Sequence, residues 1–141
     1  MIVRSTIYYD FLEIHRGLRS MKFDPRSKIF ADNTESRTFL VDGIVAMILG
    51  ITVINDGIGE TWNIPTPLIQ GRGLAVVREA RKLREAAINK FGLRQIRATI
   101  NSSCPDDIKW IEFLGFKHEA TLFEATPELD DLLIYKYERV V

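Results

Sequence analysis

Hydrophobic and polar residues trade places along this chain with two different periods, and the switch between them predicts most of the elements. From Arg37 to Pro65 the apolar residues fall in short runs and alternations suited to strands. Thr38 to Val41 is followed by Asp42-Gly43, a dipeptide suited to a type I′ hairpin turn because both central residues of that turn need positive φ. Ile44 to Ile54 reads as a buried strand in which Gly50 marks either a bulge or a close backbone approach. Asn55-Asp56-Gly57 forms the next turn, and Ile58 to Ile64 is a third strand whose end is marked by Pro65-Thr66-Pro67. The period then changes. Leu74, Val77, Ala80, Leu83, Ala87 and Phe91 recur three or four residues apart, which predicts an amphipathic helix from Gly73 to Phe91 with Gly92 as its stop.

The flanking segments complete a mixed α+β domain. Ile2 to Ile7 reads as a first strand, Tyr8 to Met21 as a helix, Pro25 to Asp32 as a second short helix and Asp32 to Ser36 as a polar loop. Leu93 to Ile100 is a strand, so strand, loop, helix and strand form a crossover expected to be right-handed. Pro105 opens a helix running from Asp106 to Leu114, where acidic residues complement the helix dipole. Gly115-Phe116 ends it, and Lys117 to Glu124 and Leu132 to Arg139 supply two last strands.

Composition narrows the class. The 141 residues make one ordinary domain, and nineteen Lys plus Arg balance nineteen Asp plus Glu, so no net field favours nucleic acid or an acidic membrane. Cys104, the only cysteine, cannot form an internal disulfide, which suits a reducing compartment. The apolar run from Ile44 to Ile54 is far short of the roughly 20 residues needed to span a bilayer. Near the amino terminus, Arg4 followed by polar residues and tyrosines lacks the apolar core of a signal peptide, so a cytoplasmic protein is expected.

Candidate chemistry centres on Pro67 to Ala75, a glycine-bearing loop that runs into the long helix. The first turn of a helix carries amides without intrahelical acceptors, and the dipole adds roughly half a positive charge there, so a diphosphate can dock on bare backbone. Gly71 and Gly73, lacking Cβ atoms, let that backbone approach a ligand. The dinucleotide fingerprint fails because Val76 holds its third glycine position, and no P-loop pattern is present. His15 and His118 are isolated and no metal-binding spacing or nucleophile elbow occurs, so no metal is expected. Trp62 and Trp110 read as core residues or ligand contacts, and Arg78, Glu79, Arg81, Lys82, Arg84 and Glu85 as a solvated helix face.

Gln70-x-x-Gly73-x-Ala75, with Pro67 ahead of it, resembles motif A of the GNAT superfamily of acyl-CoA-dependent N-acyltransferases. Some forty residues later, Trp110-Ile111-Glu112-Phe113-Leu114-Gly115-Phe116 resembles the end of its motif B, and the order of elements matches across nearly the whole chain. The resemblance implies a GNAT fold: a mostly antiparallel mixed sheet with splayed central parallel strands and about four helices on both faces. It also implies direct transfer from acetyl-CoA to a small-molecule or protein amine, without a covalent intermediate. Carried onto this chain, pantetheine lies beside Asn63, Ile64 and Pro65, and the diphosphate on the amides of Gly71, Arg72, Gly73, Leu74, Ala75 and Val76, flanked by the side chains of Gln70 and Arg72. Pro65 departs from the pattern, since it lacks an N–H for one pantetheine bond.

The catalytic inventory implied by the resemblance is thin. The tyrosine that many members use as acid falls on Ile111, the motif B asparagine on Cys104 with Asn101 as substitute, and a carboxylate position on Thr99. Glu60 is the remaining candidate base; a solvent-facing strand residue is its other reading. The acceptor would be chosen by Tyr8 to Ser36 and Ala125 to Asp131, and an edge strand could pair across a homodimer axis. A helix without the tyrosine also looks like that of phage-encoded GNAT-like proteins, so a catalytically degenerate binding or virion-assembly component is the alternative reading.

Overall fold

A computed structural model describes residues 1–17 and 32–139. The strands are β1 Ile2–Ser5, β2 Thr34–Val41, β3 Ile44–Asn55, β4 Ile58–Pro65, β5 Gln95–Asn101, β6 Lys117–Leu122 and β7 Leu132–Glu138. Three α-helices lie among the described residues: α1 Tyr8–Gly17, α2 Gly73–Phe91 and α3 Pro105–Phe113. Most of the expected short helix at 25–32, and the end of the first helix beyond Gly17, fall outside those residues. The strands form one sheet in the order β1-β2-β3-β4-β5-β7-β6, in which only the β4–β5 pair is parallel. This is the expected mixed α+β architecture.

Turn chemistry sets the register of the first meander. Asp42 and Gly43 both take positive φ, at 51° and 77°, which the right-handed twist of a two-residue hairpin requires. Opposite them the register slips between Phe39 and Leu40: Phe39 faces Met47 while Leu40 faces Val45. Ala46 is thus an extra residue, and the bulge turns Val45 and Met47 to opposite faces of the sheet. Val45 joins Ile14, Ile48 and Ile64 under α1, whereas Met47, Leu49 and Ile51 join Leu83, Ala87 and Ile88 of α2 in the larger core. Gly50 is not a bulge. Its Cβ would fall 2.2 Å from the Trp62 ring, so the second of the two expected readings, close approach, holds.

The edge at β1 is pinned to α1 by a buried carboxylate. Asp10, only 2% exposed, accepts both guanidinium nitrogens of Arg4 at 2.7 and 2.8 Å, the Ile7 amide at 2.8 Å and the Thr38 hydroxyl at 2.8 Å. Burial alone would push this carboxyl up. The donors outweigh it and hold Asp10 below the ordinary carboxylate range.

On the other face α2 lies across β2 and β3, and α3 packs beside α2 and β5. The stripe expected on α2 is buried at Val77, Leu83 and Ala87, but Leu74 at its head is exposed because the first turn overhangs a groove rather than the core. Arg84 departs from the solvated face assigned to it. Its guanidinium stacks 4.1 Å from the Tyr137 ring centroid and donates to the Leu114 carbonyl, tying α2 to the end of α3.

Candidate functional site

The parallel strands β4 and β5 part company at Glu60. Their shared rungs are Ile58–Gln95, Gly59–Ile96 and Glu60–Arg97, yet β4 runs on to Pro65 and β5 to Asn101. Each strand stays paired on its outer side, β4 with β3 and β5 with β7, so the unpaired edges are the two that face each other. Alternation along β4 identifies the groups in the gap. The Gly57 carbonyl accepts the Gln95 amide, while the Thr66 amide turns the other way to the Ala46 carbonyl. Odd-numbered residues therefore face β5, and Thr61 and Asn63 direct both N–H and C=O into the gap. Pro65 directs a carbonyl there but no donor.

At the mouth of the gap the chain makes a short 3-10 turn, Pro67–Ile69, before entering α2. Among the described residues the amides of Gly71, Gly73, Leu74 and Ala75 meet no protein acceptor. Two of the amides assigned to a diphosphate are spent internally. Arg72 N–H donates to the Ile69 carbonyl, closing the 3-10 turn, and Val76 N–H donates to the carbonyl of Arg72, the residue preceding the helix. Gly71 has φ of 78°, and no atom lies near the place its Cβ would take. Gly73 is required for a different reason: its Cβ would stand 2.1 Å from the Trp110 indole.

Between these elements lies a cavity of about 1100 Å³. Its floor is β3, β4 and β5, and its sides are the first turns of α2 and the length of α3. Asn63, Pro65, Gln70, Gly71, Arg72, Gly73, Leu74, Ala75, Val76 and Asn101 all line it, as does Glu60. Ile64 does not. Its side chain is buried with Ile14, Val45 and Ile48 on the α1 side, because neighbouring strand residues point to opposite faces. By the same alternation Glu60 shares the α1 face with Trp62 and stands at the last rung before the strands part.

The remaining positions carry little acid–base chemistry. Ile111, 7% exposed, presents hydrocarbon to the cavity. Asn101 lines it too, but the carbonyl oxygen of its side chain accepts the Ser103 amide at 2.9 Å in the turn before α3. Thr99 and Cys104 complete that wall. Asp107, in the first turn of α3, is pushed up by partial desolvation and by the neighbouring Asp106 charge. Neither tryptophan lies in the core proper: Trp62 donates its indole N–H to Thr52 at 2.9 Å, Trp110 lies against the helix α2 entry, and both line the cavity. Thr61 was missed from the sequence, although strand alternation with Asn63 and Pro65 was sufficient to find it. Among the described residues no three His, Cys, Asp or Glu side chains are grouped to hold a metal ion.

No family model and no curated protein sequence matches the chain. Solved structures do. A mutant of the spermidine N-acetyltransferase SpeG from Vibrio cholerae superposes with a TM-score of 0.78 at 16% identity, covering 98% of this chain and 95% of that one. A dodecameric spermidine N-acetyltransferase from the same organism gives 0.78 at 15% identity, covering 97% and 92%. SpeG in complex with manganese ions gives 0.76 at 18% identity, covering 97% and 91%. At such identities the likeness establishes the fold, which is the GNAT fold, over essentially the whole of each chain.

Proposed function

We propose that this chain is an N-acetyltransferase that moves an acetyl group directly from acetyl-CoA to an amine. One observation carries the reading: the gap that opens at Glu60 leads, through a single cavity, to four bare amides at the head of α2. A peptide-like arm fits between unpaired strand edges, and a diphosphate fits the amides and the positive end of the dipole. The architecture shared with spermidine N-acetyltransferases supports the same reading.

Acetyl-CoA would supply a thioester already activated toward amines. The chain contributes positioning. Thr61 and Asn63 would hold the pantetheine arm by backbone bonds, the amides of Gly71, Gly73, Leu74 and Ala75 the diphosphate, and Gln70 and Arg72 its flanks. Glu60, at the fork where a thioester would arrive, would take the proton of the attacking amine. Ile111 has no proton to give the departing thiolate, so turnover is expected to be slow. Small polyamines are the first acceptors to try, since the neighbours of the same fold are spermidine acetyltransferases.

The test is direct. Acetyl-CoA should raise the melting temperature in proportion to the logarithm of its concentration, and thiol release should begin when spermidine or another amine is added. Absence of any stabilisation at millimolar acetyl-CoA would end the proposal.

A further inference from the structure

The chemistry proposed above uses Glu60 but gives no task to the indole beside it. Trp62 follows Glu60 by two residues on β4, so both side chains stand on the α1 face of the sheet. Gly50 is the cross-strand partner of Trp62, and Thr52 that of Glu60. Because Gly50 has no Cβ, the indole can lie across β3, where a side chain at that position would meet it at 2.2 Å. Its N–H reaches the Thr52 hydroxyl at 2.9 Å, and that hydroxyl meets Thr34 of β2 at 2.8 Å. The ring is thus fixed with its far end opposite Glu60, at a cross-strand spacing of roughly 5 Å.

Trp62 lines the cavity and is only partly buried. Its single donor is spent on Thr52, so what it can still offer a ligand is its π face, and indole is the best cation-binding ring among the side chains. Among the described residues the cation–ring contacts are those of Phe113, Tyr137, Phe91 and Trp110, and none uses Trp62. The bases on the cavity wall do not compete for the ring. Arg72, Arg78 and Arg84 belong to α2 or its approach, and Arg97, beside Glu60 in register, is not on the lining. A carboxylate and an indole side by side suit a molecule with two amino groups, one that reacts and one that stays cationic.

We infer that Trp62 selects the acceptor, its ring holding the second ammonium of a short diamine while the first amino group reacts at Glu60. The lone pair of that nitrogen forms the amide bond as the C–S bond of the thioester breaks; the electron pair leaves with the CoA sulfur and the amine proton passes to Glu60. The assignment rests on the acyl-CoA reading and adds to it a residue of β4 that chooses among amines. Two residues along a strand span roughly 6–7 Å and one cross-strand step roughly 5 Å, so the two nitrogens should be about four carbons apart.

Steady-state acetyl transfer to 1,4-diaminobutane and to n-butylamine, at saturating acetyl-CoA, tests this. The expected kcat/KM is about twentyfold higher for the diamine, of which about tenfold comes from the ring and about twofold from the presence of two equivalent amino groups. Trp62→Leu should reduce the preference to about that statistical twofold, and Trp62→Phe, which keeps a weaker ring and loses the Thr52 bond, should give an intermediate value. Variants are compared only where acetyl-CoA still raises their melting temperature; if neither qualifies, the preference of the unaltered chain decides. Equal kcat/KM for the two amines in the unaltered chain, or a preference that survives Trp62→Leu, overturns the inference and leaves the acyl-CoA reading standing. Transfer to neither amine also overturns it, and if acetyl-CoA then fails to stabilise the chain, the acyl-CoA reading falls as well.

Discussion

Trp110 occupies the volume that any side chain at residue 73 would need, since a Cβ on Gly73 would lie 2.1 Å from its indole ring. The glycine is thus fixed by a neighbouring helix and not by its own backbone angles. Gly73→Ala must push the ring of Trp110 away, and overpacking of that kind costs about 1–3 kcal/mol. Gly71→Ala meets open space but inherits φ of 78°, which costs about 1–2 kcal/mol through backbone strain. Both should lower the chemical-denaturation midpoint. Only Gly73→Ala should also shift the tryptophan emission, and an unshifted spectrum would contradict the packing of Trp110 on the loop.

Glu60 marks the rung at which β4 and β5 cease to pair. Removing its basicity while keeping its shape isolates the chemical role. Glu60→Gln should cut kcat by about 100-fold at neutral pH with little change in the Kd for acetyl-CoA. Steady-state rates of the variant and of the unaltered chain, compared at several pH values, check this. Unchanged turnover would remove Glu60 from the mechanism and leave deprotonation to water.

The sheet and its turns were legible because period and turn chemistry are local properties. Asp42-Gly43 takes the positive φ values its residue types favour, and the change of period at Gly73 coincides with the start of α2. What escaped depends on distant neighbours. Nothing near Arg84 in sequence announces that Tyr137 will stack on it, and the solvated-face reading failed there for that reason. Leu74 kept its place in the helical period yet lies over a groove, because a period shows which residues share a face and not what that face meets. The glycine motif likewise located the loop, but which amides stay bare was decided by the 3-10 turn that takes up Arg72 and by the helical bond that takes up Val76.

The Asp10 network should make stability depend on acid. Its folded-state carboxyl lies below the ordinary value near about 3.9, so the unfolded chain takes up a proton first as pH falls. The contribution is complete above that value and is lost as pH drops through the lower, native one. Asp10→Asn removes the charge facing Arg4 and should cost roughly 1–3 kcal/mol at pH 7. Urea midpoints from pH 7 down to about 3 should fall less steeply in the variant than in the unaltered chain. Parallel curves would mean that other groups, such as Glu35 beside Lys90 and Arg37, carry the acid dependence.

Pro65 gives the last and most specific test of the gap. Thr61 and Asn63 each turn an N–H toward β5, and Pro65, two residues further along the same edge, has none to offer. If a ligand arm lies between the strands and accepts bonds from that edge, Pro65→Ala adds a donor where one is missing. One net hydrogen bond contributes about 1 kcal/mol, so acetyl-CoA should bind roughly fivefold more tightly. The same change loosens the unfolded chain and should lower stability without ligand by about 0.4–1 kcal/mol. Tighter binding by a less stable protein is an outcome that general stabilisation cannot mimic. Unchanged affinity with the expected loss of stability would mean that the arm does not reach residue 65 or does not pair with β4.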